Sequence, residues 1–509
     1  MQNMLMKRYL TRHLLLILAL SNLCAGQTLS ANDDLTNIPE EVIRYQEVFF
    51  HFYRKDEFSA LVNLSSGLRS KKILQNKFSN ELLLGNLYSM YGLSHLADKS
   101  LTMVGSQSDS KRQRSLAWFY LAKQYFDQGD YRRFLSLISD VNNDLPENLH
   151  DEKRYMLGMT SIQNNRFSEV EKVMNKMNKD SDWFSYLKFN LGTSYLKSGM
   201  VEKGEAYIKE IGESVYKTED MLSLRDKSNI VLGYYYIRAE ESGKAISMFE
   251  NVRLDGPFSN KALLGLGWAY SQQKRFRNAL VPWLALAEKD PTNVTVQEAK
   301  LASAFAFRQL GADKKALAYY KTSIKEYQEV KDSFQTQMSN SFSHNIFSPL
   351  IKDKRIDDYG VSLQIRNELK AGKGGVLVDL LNTEEFQKMF NDYRDLKQLQ
   401  SKLADWREDL ESMDVNSSIQ DSARKQMVKG KSRFENRKNI SHSENLLTLK
   451  DTVQLQSDRI EILIGMYEEN IRDEFVRAIN VKQQYLTAYL SQARFALAEI
   501  LDSAQAESQ

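Results

Sequence analysis

The feature that most constrains the fold is a small residue that recurs at a nearly fixed interval through the middle of the chain. These small residues lie at positions 85, 122, 158, 192, 233, 267 and 304, so the steps are 37, 36, 34, 41, 34 and 37. A leucine precedes most of them, an aromatic residue usually follows three positions later, and another small or apolar residue follows after twelve. A period of this length predicts an array of stacked supersecondary units.

Each unit has the apolar spacing of two amphipathic helices joined by a short polar turn such as Gln273-Lys274-Arg275. Glycine inside a helix costs about 1 kcal/mol relative to alanine, so a recurring glycine indicates close packing of two helices. The alternative for Gly265-Leu266-Gly267 is a phosphate-binding loop. That loop needs a preceding strand and the spacing G-x-G-x-x-G, and neither is present.

Two copies of the repeat are the clearest: Leu232-Gly233…Tyr236…Ala245…Phe249…Pro257 and Leu266-Gly267…Tyr270…Ala279…Trp283…Pro291. They resemble the tetratricopeptide repeat (TPR), whose pattern is W-x2-L-G-x2-Y…A-x3-F…P with a period near 34. The resemblance covers about Glu81 to Tyr327, and a divergent copy is expected within Glu41 to Leu64. It implies an all-α fold, a TPR-type α-solenoid of about seven helix pairs over residues 41–330.

The resemblance also implies a concave surface lined by the first helix of each pair. Positions one residue after and three residues before the small residue point into it. This lining is apolar and aromatic and lacks the regular Lys/Arg/Asn set of TPRs that clamp a peptide carboxylate. It suits an amphipathic helix or an apolar peptide. The expected partner-binding residues are Phe119, Tyr155, Phe189, Tyr234, Trp268 and Phe305.

Two alternatives remain open for this groove. In the first, about half of these aromatic residues form core between neighbouring repeats, since aromatic residues at helical spacing usually do. In the second, another part of the same chain fills the groove.

The C-terminal third has no repeat of this kind. Residues 331–375 are expected to be a linker that includes the flexible break Lys370 to Gly375. Residues 376–509 are expected to be a long-helix or coiled-coil-like region, with heptad spacing from Phe386 to Met413 and a second stretch from about Asn445 to Asp502. This helical hairpin either packs back on the solenoid or joins a second copy in a homo-oligomer.

A run of basic residues between the two helical stretches, from Arg424 to Lys438, has two interpretations. It is a solvated helix end or loop, or it contacts the phosphates of phospholipid or peptidoglycan, which would place the protein near the membrane or the cell wall.

The N-terminus has the three parts of a secretory signal peptide. A basic segment precedes the apolar run Leu14 to Leu20, and the small residues Cys24-Ala25-Gly26 suit cleavage. The run is shorter than the roughly 20 residues of a membrane span. We therefore expect a signal peptide over residues 1–26, cleavage near Gly26, a linker over 27–40 and a periplasmic mature protein. The alternative is an N-terminal anchor helix that stays uncleaved.

Cleavage changes the charge and removes the only cysteine. The signal segment contains Lys7, Arg8 and Arg12 and no acids, so 69 − 3 = 66 basic residues face 66 acidic residues. A neutral balance argues against general nucleic-acid binding. Loss of Cys24 excludes disulfides, thiolate metal sites and a cysteine nucleophile.

The sequence contains no catalytic motif. H-E-x-x-H and G-x-S-x-G are absent, and the six histidines are scattered. Adjacent acids such as Glu468-Glu469 point to different helix faces. The soluble lytic transglycosylases join a helical solenoid to a lysozyme-like domain, but the C-terminal third here has heptads instead. We expect a protein that is not an enzyme and that uses no cofactor and no metal.

The leading hypothesis is a periplasmic TPR scaffold that mediates protein–protein interaction in a cell-envelope complex. Its partner would be a protein or peptide held in the aromatic groove. The alternative is a glycan- or peptidoglycan-binding or processing protein that uses its aromatic residues as platforms for sugars.

Overall fold

The computed structural model describes residues 40–54, 57–70, 73, 77–141, 144–340, 376, 380, 383–427 and 433–506. Within these ranges it contains 18 α-helices and no strand, which confirms the all-α class. The predicted signal peptide, the linker before residue 40 and the break Lys370 to Gly375 lie outside the described residues.

Sixteen helices follow one another as eight pairs. Their bounds are α1 Glu40–Tyr53, α2 Glu57–Arg69, α3 Lys77–Met90, α4 Ser94–Gln107, α5 Lys111–Asp127, α6 Tyr131–Ile138, α7 Glu147–Gln163, α8 Phe167–Met174, α9 Asp182–Lys197, α10 Val201–Glu213, α11 Glu219–Arg238, α12 Ser242–Glu250, α13 Ser259–Gln272, α14 Phe276–Ala287, α15 Val294–Gln309 and α16 Asp313–Asn340.

The turns within seven of these pairs are alike. Each has one residue with φ between +56° and +85°, always seven positions after the recurring small residue. The following N–H donates to the carbonyl five positions earlier, as from Arg275 to Tyr270 at 3.0 Å, which is the Schellman geometry of a helix end. The left-handed residues are Gly92, Gly129, Asn165, Gly199, Glu240, Lys274 and Gly311. Their steps equal those of the small residues, so the repeat period predicted from the sequence is confirmed.

The glycines lie where the two helices of a pair touch. A Cβ atom at Gly233 would approach Phe249 Cε1 to 2.6 Å, and one at Gly267 would overlap the indole of Trp283. Trp283 is fully buried, and its Nε1 donates to the carbonyl oxygen of Leu264 at 3.2 Å. The helix-contact interpretation is therefore confirmed, and Gly267 does not lie in a phosphate-binding loop.

Two details differ from the sequence prediction. There are eight pairs instead of about seven, because α1 and α2 form a pair where the divergent copy was expected. The last helix of the array, α16, ends at Asn340, so residues 331–340 are helical and not part of a linker.

The chain divides into two compact units, the first ending at Leu232 and the second beginning at Gly233. The first unit contains α1 to α10 and most of α11. Its largest core cluster includes Phe119, Phe134 and Leu121, all nearly or fully buried. The second unit contains the rest of the array, with Trp283 at the centre of one cluster, and the C-terminal helices.

Two long helices complete the second unit: α17 (Glu384–Met427, 44 residues) and α18 (Arg433–Ala506, 74 residues). Only five residues separate them, a reach of at most about 18 Å, whereas α17 is about 66 Å long. Residues far from this connection on both helices also touch: the hydroxyl of Tyr393 donates to Glu468 at 2.8 Å and that of Tyr467 to Asp392 at 3.1 Å. The two helices therefore run antiparallel. The predicted helical hairpin is confirmed, although the side chains of the basic run Arg424 to Lys438 lie outside the described residues.

Helix α18 packs back on the end of the array. Lys482 Nζ donates to the carbonyl of Thr292 at 3.3 Å, Tyr489 to Glu298 at 3.1 Å, and Arg308 to Glu499 at 2.7 Å. The offset between partners stays at 190 to 191 residues, so α18 runs parallel to α15 and in register with it. Ala493 and Ile500 of α18 are buried against Ala304, Ala316 and Tyr320.

This arrangement answers one of the alternatives left open by the sequence: the C-terminal hairpin packs on the solenoid. Helix α18 takes the place that the first helix of a further pair would occupy beside α15 and α16. Solenoids need such a cap, because the last repeat would otherwise expose its apolar face. None of the described helices has an apolar stretch suited to crossing a membrane.

Candidate partner-binding surface

The two rows of residues expected to line the groove have different environments. Those three positions before the small residue are mostly buried: Phe119 is 0% exposed and Phe189 is 6% exposed. They pack against the neighbouring first helices, so the prediction that Phe119 and Phe189 contact a partner is corrected to a core role. Tyr155 of the same row is partly exposed, and its ring lies 5.0 Å from that of Trp183.

The row one position after the small residue is partly exposed along its whole length. In the first unit it consists of Asn86, Lys123, Met159 and Thr193. In the second unit it is entirely aromatic and consists of Tyr234, Trp268 and Phe305, which we call the aromatic row. The structure thus places three of the six predicted residues side by side on successive first helices of the second unit.

Tyr234 and Phe305 form the two ends of the aromatic row. The hydroxyl of Tyr234 donates to the carbonyl oxygen of Lys261 at 3.0 Å, and its ring packs edge-on against Phe249 at 5.1 Å. Phe305 makes an edge contact of 6.0 Å with Phe276. Each ring therefore packs against a ring of a second helix and stays partly exposed.

Trp268 forms the centre of the row. Its ring packs edge-on at 5.0 Å against Trp283, and its Nε1 donates to Glu298 Oε1 at 2.8 Å. The other oxygen of Glu298 accepts the hydroxyl of Tyr489 of α18 at 3.1 Å. One half-buried carboxylate thus links the aromatic row to the C-terminal helix.

Glu298 and Tyr489 were not among the residues predicted from the sequence. Glu298 lies six positions before the small residue Ala304, so the repeat register alone could have identified it. Tyr489 lies outside the repeat, and nothing in the sequence gives its distance from Glu298.

The phenols near Glu298 are protonated at neutral pH. Burial and, after it, the charge of Glu298 raise the pKa of Tyr234 and of Tyr489 above the usual value near 10. Both hydroxyls therefore act as hydrogen-bond donors here.

A different tyrosine position has a structural role. The tyrosine three residues after the small residue donates to an acid of the preceding second helix, as from Tyr195 to Glu171 at 2.7 Å and from Tyr125 to Asp98 at 2.7 Å. A cation stacks over the ring, with Lys203 Nζ 5.4 Å from the centre of Tyr195. The hydrogen bond from Tyr195 is the main cause of the lowered pKa of Glu171. These contacts join consecutive pairs and belong to the scaffold.

The described residues contain no group of three His, Cys, Asp or Glu side chains that could hold a metal ion. The residues around the aromatic row comprise aromatic rings, one carboxylate and backbone carbonyls. This set suits binding of a chain through apolar contact and hydrogen bonds.

Comparison with known proteins gave matches only among solved structures. No family model matches the chain, and no curated protein matches it. MamA, in its AMB-1 P212121 crystal form, is 20% identical, with 35% of this chain and 98% of that chain covered and a TM-score of 0.26. A tetratricopeptide repeat protein from Parabacteroides merdae ATCC 43184 is 14% identical, with coverages of 52% and 98% and a TM-score of 0.34. The TPR2AB domain of yeast Sti1, in a complex with pHSP90, is 11% identical, with coverages of 57% and 92% and a TM-score of 0.20.

The fold assignment is carried by the chain's own geometry. The repeated helix pairs, the left-handed residue at a constant place in the turn and the glycines at the helix crossings are all features of one repeated unit. Each unit therefore has the TPR-type fold of stacked helix pairs, and the second unit also contains the C-terminal helical hairpin.

Proposed function

We propose that the protein is a non-enzymatic scaffold that holds a segment of a partner protein along the aromatic row of its second unit. The observation that supports this is the partly exposed series Tyr234, Trp268 and Phe305 on successive first helices. Tyrosine and tryptophan are enriched at the energetic centres of protein interfaces, because they bury a large area at a low cost in conformational entropy. The equivalent positions of the first unit carry no aromatic residue.

The occupant that suits this row is an amphipathic helix or an apolar extended segment. An apolar face of a helix, with side chains at i, i+3, i+4 and i+7, can lie against such a row of rings. Tyr489 of α18 bonds to Glu298 beside the row, and Tyr234 and Trp268 stay partly exposed. A second polypeptide can therefore contact these two rings.

We further propose that this scaffold works in the periplasm as a component of a cell-envelope complex. The support is the N-terminal sequence, with its basic segment, apolar run and small residues. Fusing residues 1–40 to a reporter that is active only after export tests this. Activity should depend on the apolar run Leu14 to Leu20, and an active reporter after that run is replaced by polar residues would contradict it.

The binding proposal is tested by capture of partners from the native host. The full chain is compared with Tyr234→Ala and Trp268→Ala. The control is Thr193→Ala, which alters the same repeat position in the first unit. A partner captured by the unaltered chain and by the Thr193 variant should be lost from the other two. Equal capture by all four proteins would contradict a role for the aromatic row.

A glycan- or peptidoglycan-binding protein is the second candidate, because aromatic rings beside a carboxylate also suit sugars. Co-sedimentation with purified cell-wall sacculi and a muropeptide-release assay separate the two. Sedimentation that depends on Trp268 would favour the glycan candidate, and muropeptide release would contradict the non-enzymatic assignment.

A further inference from the structure

We propose that Glu298, together with Trp268 and Tyr489, forms a recognition site for a cationic side chain, a lysine or arginine of the partner. This inference rests on the proposed function, because it names the chemistry of the segment that the aromatic row would bind.

The first argument is the state of the carboxylate. Glu298 is half-buried and accepts one hydrogen bond on each oxygen, from Trp268 Nε1 and from the hydroxyl of Tyr489. Each oxygen of a carboxylate can accept two hydrogen bonds, so acceptor capacity remains on both. A carboxylate removed from water is stabilised by an opposite charge, and neutral donors supply only part of that stabilisation.

The second argument is that the described part of the chain gives Glu298 no cation. Among the described residues Glu298 forms no ion pair, and three basic residues of α15 and α18 are directed to other acceptors. Lys300 pairs with Glu326, and Arg308 pairs with Glu499. Lys482 of α18 directs its Nζ to the carbonyl oxygen of Thr292.

The third argument comes from the equivalent position in the first unit. Glu152 lies six residues before Gly158, as Glu298 lies six residues before Ala304. There, Lys123 holds the position that Trp268 holds in the second unit, and its Nζ pairs with Glu152 at 2.5 Å. The repeat therefore supplies a lysine to this acid in one unit and an aromatic ring in the other.

The surroundings of Glu298 suit a cation that comes from outside. Trp268 Nε1 and the hydroxyl of Tyr489 each bond to one oxygen of Glu298, so both rings lie beside the carboxylate. Aromatic faces attract ammonium and guanidinium groups, and tryptophan does so most strongly. A lysine or arginine placed here would find a counter-ion and aromatic faces together, whereas an acidic side chain would be repelled.

The experiment uses the full chain labelled with 15N-tryptophan and follows the indole N–H resonance of Trp268. Because the chain has five tryptophans, the resonance is assigned by its absence in Trp268→Phe. The probe is methylguanidinium chloride. Its matched neutral control is N-methylurea, and the added ionic strength is matched with sodium chloride.

Methylguanidinium should shift the Trp268 resonance in a saturable way and bind roughly tenfold more tightly than N-methylurea, the ratio expected for one partly desolvated cation–π and carboxylate contact. Glu298→Gln keeps an acceptor for Trp268 and removes the charge, so this preference should disappear. Glu152→Gln is the matched control and should leave it unchanged.

The inference is overturned if the two probes bind alike in the unaltered chain, or if Glu298→Gln keeps the preference for methylguanidinium. Neither result contradicts the proposed function, provided that partner capture still depends on Tyr234 and Trp268. Conversely, a cation preference that depends on Glu298, without any captured partner, would support the site and contradict the scaffold role.

Discussion

At the scale of single residues, the fold depends on glycines that lack a side chain where two helices meet. The buried indole of Trp283 occupies the space that a Cβ atom of residue 267 would need, so Gly267 lets the two helices of the pair approach closely. The same chain contains a glycine of the opposite kind: Gly465 lies in α18 with no atom within 4 Å of an added Cβ. The first glycine is needed for packing, and the second only weakens its helix.

These two glycines make a matched pair of substitutions. Gly267→Ala should lower the free energy of unfolding by about 1–3 kcal/mol, because overlap with Trp283 outweighs the gain in helix propensity. Gly465→Ala should raise it by up to about 1 kcal/mol. Urea denaturation followed by circular dichroism measures both, and a stabilising Gly267→Ala would show that the helices have room to spare.

Residues in the left-handed conformation give a second prediction. Lys274 has a φ of +58° and holds the turn position at which Gly311 has +70°. Glycine adopts this conformation without the cost of about 1–2 kcal/mol that a Cβ brings. Lys274→Gly should therefore stabilise the protein by about 1 kcal/mol, and Gly311→Ala should destabilise it by a similar amount. Thermal unfolding measures both variants. If Lys274→Gly lowers the stability, contacts of the Lys274 side chain contribute more than the relief of its backbone conformation.

How far the sequence predicted the site also depends on single residues. The register of the repeat could be read correctly, because glycine in a helix and an aromatic residue three positions later both leave a signal. The exposure of Phe119 could not be read from the sequence. A side chain three positions before the small residue points both toward the groove and toward the next first helix, and the spacing does not say which it contacts. Only the packing of neighbouring first helices shows that Phe119 is core and Trp268 is not.

Among the elements, α18 has the role that the sequence defined least. The heptad spacing of α17 and the second helical stretch from about Asn445 to Asp502 predicted a hairpin. The parallel register of α18 with α15 follows no sequence period, because it depends on one lysine, one tyrosine and one glutamate that meet partners about 190 residues away. Helix α18 therefore acts both as a partner of α17 and as the cap of the array.

The capping role predicts the effect of a charge in its buried face. Ala493 is fully buried against α15 and α16, so Ala493→Glu should cost roughly 3 kcal/mol and expose apolar surface. The exposed neighbour Gln492 provides the control, because Gln492→Glu should change little. Urea denaturation measures the stability, and binding of a hydrophobic dye measures the exposed apolar surface. If neither changes in Ala493→Glu, the array needs no cap.

On the scale of the whole molecule, the ionisation of buried tyrosines is expected to lower the stability of the folded state at alkaline pH. Burial, and then nearby acids including Asp220, raise the pKa of Tyr186 to about 12. The folded state therefore keeps a proton that the unfolded state loses above about pH 10, and stability falls as the pH rises from about 10 to 12.

The midpoint of thermal unfolding should drop across this range of pH, and the drop should be shallower for Tyr186→Phe, which keeps the buried ring. At pH 7 that variant should match the unaltered chain. If the two proteins lose stability equally between pH 10 and 12, Tyr186 does not contribute to this loss.

The central claim is that a partner polypeptide lies along the aromatic row of the second unit. The most direct measurement is crosslinking in living cells with a photoreactive amino acid in place of Trp268, and separately in place of Arg277, an exposed residue of the second helix α14. A discrete protein adduct at position 268 that is absent at position 277 is the predicted result. No adduct at position 268, or the same adducts at both positions, would contradict the claim.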